Sequence, residues 1–187
     1  VAEGYNAQLR REGFERYSVT AEELKPLFGK TITEIANILF ADLPVPDRFE
    51  LLERCMESED RVLQENECDI GYPLVKETLE RLAEKYRLFI VSNSQSGYPQ
   101  LCMEKMGIGH LIEGHLCFGD TGTEKGETIR TLMKHHQITD AVYVGDTQGD
   151  YEATVVAGVP FVWAAFGFGN PEGYAARAEQ FSDPPKI

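Results

Sequence analysis

In the first third of the chain, apolar residues fall at helical spacing among many charges. Thr20-Ala-Glu-Glu23 and Thr31-Ile-Thr-Glu34 each match the pattern in which a hydroxyl, and a carboxylate three residues on, satisfy each other's backbone amides at a helix start. Phe49, Leu52, Met56 and Leu63 then recur at helical steps through a third, longer segment. Residues 1–68 therefore read as wholly helical. From Asp69 the pattern changes to short apolar runs alternating with amphipathic stretches. Pro73 opens a predicted helix with Val75, Leu79, Leu82 and Tyr86 on one face, followed by the apolar run LFIV at 88–91. Next come a helix to Met106 closed by Gly107, a strand HLCF at 115–118 and a helix from Gly126 to His136. A strand AVYVG at 141–145, a helix to Ala157 closed by Gly158, and a strand FVWAA at 161–165 complete the alternation. Strands interleaved with helices of this length predict an α/β fold, a Rossmann-like parallel sheet core over 69–187, beside a small all-helical domain over 1–68.

Residues 153–171 carry no charge, which approaches transmembrane length. Gly158, Pro160, Gly167 and Gly169 break the run, so it reads as a helix end, a turn and a short buried strand.

Composition narrows the partners. The 187 residues are 42% hydrophobic and 26% charged, as in a globular protein with a sizeable core. A formal charge of -13 repels nucleic acid and anionic membrane surfaces, so neither is an expected partner, and an anionic substrate would need a local basic group. Cysteines at 55, 68, 102 and 117 form no Cys-x-x-Cys pair; they read as reduced, mostly buried residues of a cytoplasmic protein. His110, His115, His135 and His136 have no partner at metal-ligand spacing and read as structural or surface residues.

Ligands of open parallel sheets bind beyond the carboxyl ends of the strands. There the chain places Ser92 and Asn93 after LFIV, Gly145, Asp146 and Asp150 after AVYV, and Lys125 at a helix start beyond HLCF. Each has a plainer reading alone: Ser-Asn as turn chemistry, Lys125 as a solvated loop lysine, Asp150 as a helix cap. Their coincidence on one rim favours a shared role.

The set VSN at 91–93, Lys125 and GDTQGD at 145–150 resembles the second, third and fourth motifs of the haloacid-dehalogenase-like hydrolases. DIGYPLVKETLERLAEKYRLFIVSNS and VVAGVPFVWAAFGFGNPE are similar to the phosphoglycolate-phosphatase-like branch, and the helical first third resembles that branch's cap. The resemblance implies a phosphatase of a small phosphorylated metabolite, working as a monomer or homodimer through an aspartyl-phosphate with Mg²⁺. It implies metal binding at Asp146 and Asp150, phosphate contacts from Ser92 and Asn93, and charge neutralisation by Lys125. Lys30, in the turn FGKT between two helices of the cap, is its candidate substrate contact. The family's first motif, Asp-x-Asp-x-Thr, which holds the nucleophile, has no match in the chain. A non-catalytic metal- or phosphate-binding protein and a phosphomutase are the alternatives. If the nucleophile's strand belongs between those ending at Ser92 and Gly145, these two strands should not pair with each other.

Overall fold

The computed structural model describes residues 1–67 and 69–183. The chain divides into two compact units, Val1–Cys68 and Asp69–Ile187.

The first unit is helical: α1 (Ala2–Glu12), α2 (Ala21–Leu24), α3 (Ile32–Leu39) and α4 (Val45–Glu65). Both anticipated capping boxes form, Thr20 with Glu23 and Thr31 with Glu34. Leu52 and Met56 are buried on α4 among Tyr5, Leu9, Leu24, Phe40, Leu51 and Cys55, and Phe49 packs against that cluster. These side chains fill the core by apolar burial, which needs no directional partners.

The second unit alternates as the hydrophobic pattern predicts: α5 (Val75–Ala83), β1 (Leu88–Ser92), α6 (Tyr98–Met106), β2 (Ile112–Cys117) and a short α7 (Phe118–Thr121). α8 (Lys125–His135), β3 (Tyr143–Gly145), α9 (Gln148–Ala157), β4 (Phe161–Ala164) and β5 (Ala176–Ala178) follow. Gly107 and Gly158 close their helices in the left-handed conformation. The uncharged stretch is thus a helix end, a turn and a strand, and no helix among the described residues is long and apolar enough to cross a membrane.

Several boundaries differ from the sequence reading. α5 starts at Val75 instead of Pro73, because Leu74 takes a left-handed conformation (φ 62). The same helix stops at Ala83, so Tyr86 does not share its buried face and is 60% exposed. β2 begins three residues before HLCF, at Ile112, and Phe118 opens α7. β3 pairs only over Tyr143–Gly145, and β5, with a single exposed Arg177 between two alanines, was too short to show in the pattern. Cys55 and Cys117 are buried, Cys102 is half-buried, and Cys68 lies outside the described residues.

Every strand pairing is parallel. They form two ladders, β1–β2 and β3–β4–β5, and among the described residues no ladder joins β1 to β3. β4, paired on both sides, is buried throughout, whereas β1 is half-buried and Val144 of β3 is 54% exposed. The expectation that these two strands do not pair with each other agrees with this topology. The Tyr143 hydroxyl of β3 donates to the Val91 carbonyl of β1 at 3.0 Å.

Candidate functional site

Strand ends place the chemistry. β3 ends at Gly145, where a Cβ would stand 2.7 Å from Cβ of Asp150; with no side chain there, α9 folds its first turn back over the strand end. Thr147 is the N-cap of α9: its hydroxyl accepts from the Asp150 amide at 3.1 Å and donates to Asp150 Oδ2 at 2.8 Å. The amides of Asp146 (3.2 Å) and Thr147 (3.0 Å) also donate to Oδ2.

The other oxygen of Asp150 faces Lys125, the first residue of α8. Nζ donates to Oδ1 at 2.5 Å, with 9% and 5% of the two side chains exposed. The Tyr143 hydroxyl lies 3.4 Å from the same oxygen. The single Tyr143 proton goes to Val91, so the donors to Asp150 are Lys125, the Thr147 hydroxyl and the two amides, about as many as a carboxylate has lone-pair sites, and Asp150 is saturated by protein groups. Burial opposes its charge, but Lys125 and the Thr147 donors outweigh it and hold the carboxyl below the usual carboxylate range. Burial would likewise lower the Lys125 ammonium; Tyr143 and Asp150 reverse that and raise it above its ordinary value. Tyr143 itself is pushed up to about 12, chiefly by burial.

Asp146 differs. Its Oδ2 accepts from the Phe168 amide at 2.6 Å, and no hydrogen bond among the described residues reaches Oδ1. The side chain is half-buried, with one oxygen available to a ligand. At the end of β1, the Ser92 hydroxyl accepts from the Ser94 amide at 3.2 Å, which leaves its own proton available to donate. Asn93 is half-buried next to it.

The structure thus joins Lys125 to Asp150 directly, and Asp146 to Asp150 through its amide. Ser92 is tied in by the path from Val91 through Tyr143 to Asp150. Lys30 belongs to the other unit, where it precedes α3 and its Nζ lies 3.8 Å from Glu34 Oε1 in the first turn of that helix. Sequence reasoning missed Tyr143 and Thr147. Thr147-x-x-Asp150 was legible, since it repeats the hydroxyl-to-acid spacing of Thr20 and Thr31; Tyr143 showed only as an apolar strand position with a polar tip.

Chemically, a buried ammonium, an open carboxylate oxygen and a serine hydroxyl beside them can neutralise an oxyanion and hold a hard cation. No group of three or more His, Cys, Asp or Glu side chains is arranged as a metal site among the described residues. Asp146 fits one corner of a Mg²⁺ site, because that ion takes one or two carboxylates and completes its shell with water and phosphate oxygens.

Parallel strands flanked by helices, with a lysine, carboxylates and a serine gathered at the strand ends, define a Rossmann-like α/β protein. The chain belongs to the haloacid dehalogenase-like hydrolases, whose family pattern it matches over residues 1–164. It is 32% identical over 116 residues to a phosphoglycolate phosphatase of Vibrio vulnificus (strain CMCP6), covering 59% of this chain and 50% of that protein. A phosphoglycolate phosphatase of Haemophilus influenzae (strain 86-028NP) is 29% identical over 119 residues, covering 56% and 50%. These matches span about half the length of the relatives. In fold, a haloacid dehalogenase-like family hydrolase from Streptococcus pneumoniae superposes with a TM-score of 0.77 at 17% identity, over 96% of this chain and 85% of that one.

Proposed function

We propose that this chain forms the cap and most of the core of a Mg²⁺-dependent phosphatase acting on a small phosphorylated metabolite. Its nucleophilic aspartate would come from a strand seated between β1 and β3. The observation that carries this reading is the division of labour at α9: Asp150 is saturated and anchors Lys125, while Asp146 keeps an oxygen open. Asp146 would hold the metal, and Asp150 would serve the site through the lysine and amides it fixes. The ion, when bound, supplies charge neutralisation between phosphate and nucleophile. Lys125 contributes a fixed positive charge to a phosphoryl group whose negative charge spreads over its oxygens in the transition state. Ser92 donates its free proton to a phosphate oxygen, and the Asn93 amide binds beside it. Residues 1–68 act as the lid that excludes water and selects the leaving group, with Lys30 as a contact.

Among the described residues β1 and β3 each pair on one side only, which supports the placement of the proposed strand, since a parallel strand there would occupy both edges. Incubation with acetyl phosphate followed by mass spectrometry tests the assignment. Protein joined to an upstream Asp-x-Asp-x-Thr strand should gain a phosphoryl adduct on that strand, and the chain of 187 residues should gain none. A stable adduct on Asp146, Asp150 or any other residue of this chain overturns it.

A further inference from the structure

The first turn of α8 meets α9 at one glycine. A Cβ on Gly126 would stand 2.7 Å from both Cβ and Cγ1 of Val156 and 3.0 Å from the Ala153 carbonyl oxygen, closer than packed atoms allow. Gly126 is buried, and its φ is not positive, so what glycine supplies here is room and not an unusual backbone conformation. Glycine weakens a helix relative to alanine, which makes close approach the physical gain at this position. Gly126 directly follows Lys125, and Ala153 and Val156 lie three and six residues beyond Asp150, along one side of α9. A close approach of the two helices therefore lies one residue from Lys125 on α8 and begins one turn beyond Asp150 on α9.

We propose that Gly126 is a positioning residue: its missing side chain sets the α8–α9 separation at which Lys125 Nζ meets Asp150 Oδ1 at 2.5 Å. Any side chain at 126 wedges the helices apart and withdraws the ammonium from the strand ends. Lys125 is buried along with its partner, so it has little freedom to follow by changing rotamer. The relevance to turnover rests on the phosphatase reading; the geometry does not.

The test reads the ion pair itself, in the full chain with ¹⁵N-labelled lysine. The Lys125 ammonium, assigned by its loss in Lys125→Met, should exchange its protons slowly with water. Gly126→Ala should speed that exchange about tenfold or more, the factor expected when one charge-assisted hydrogen bond is lost. Val156→Gly should leave the exchange at the wild-type rate, and Gly126→Ala/Val156→Gly should bring it most of the way back, since the two contacts at 2.7 Å are removed and only the 3.0 Å approach to the Ala153 carbonyl remains. A purely structural role would lower the melting temperature without moving the exchange. Wild-type exchange in Gly126→Ala overturns the proposal. Should Gly126→Ala not fold, the double variant decides: a fold with slow exchange supports positioning, and a fold without it, or no fold, overturns it. An enzyme without phosphatase turnover would remove the functional reading and leave this result standing.

Discussion

The same capping device occurs in both units and does different work in each. At α2 and α3, Thr20 with Glu23 and Thr31 with Glu34 close helix starts whose glutamates are exposed. At α9, Thr147 and Asp150 make the same reciprocal bonds, but Asp150 is 4% exposed and also takes Lys125. A shorter acid at N3, set beneath a strand end, uses one oxygen for the cap and turns the other inward. Helix capping and pairing with Lys125 are therefore not competing readings of Asp150; burial adds the second to the first. The packing differs in the same direction: the helical unit closes around apolar side chains, whereas in the α/β unit β1 and β3 each pair on one side only among the described residues and a charge pair is buried.

That comparison breaks or sharpens by substitution. Asp150→Ala leaves Lys125 buried and unpaired and should cost about 3–5 kcal/mol. Trp163, the only tryptophan and a residue of β4, reports the loss by fluorescence during urea unfolding. A cost no greater than that of an exposed cap would mean that burial adds nothing at α9. Smaller, and opposite at the two ends of the scale, is the pH dependence of the same transition. Asp150 has a lowered folded-state pKa, so its stabilisation is present above its unfolded value of about 3.9 and is lost as pH falls through the folded value. Lys125 has a raised one, so its stabilisation is complete below about 10.4 and is lost as pH rises through the folded value. Lys125→Met should flatten both limbs; limbs unchanged in that variant would contradict the assignment. The smallest effect belongs to the helical unit, where Thr31→Ala should cost about 1 kcal/mol by removing an acceptor for the Glu34 amide. Helical circular dichroism through a melt measures it.

Much of this was legible in the chain because it depends on local periodicity. The capping boxes, the glycine stops at 107 and 158, and the order of strands and helices follow from spacing and backbone preference within a few residues. So does the placing of Ser92, Lys125 and Asp146 at element ends, since strand ends show where apolar runs stop. Illegible parts depend on contacts across the fold. Leu74 turns left-handed with no glycine to announce it, and Tyr86 matched the helical spacing of a helix that had already ended. The reach of Tyr143 to Val91 spans 52 positions, and the saturation of Asp150 needs donors from α8 and from the end of β3 together. No spacing rule records which oxygen of a carboxylate stays open.

In the proposed phosphatase, Asp146 and Lys125 would serve phosphoryl transfer. The most direct measurement is hydrolysis of p-nitrophenyl phosphate by protein carrying the upstream Asp-x-Asp-x-Thr strand, with and without EDTA. The account predicts release of phosphate that EDTA abolishes and Mg²⁺ restores, and a fall in kcat of about 100-fold or more in both Asp146→Ala and Lys125→Ala. Turnover that survives EDTA, or an Asp146→Ala protein as active as the parent, would contradict it.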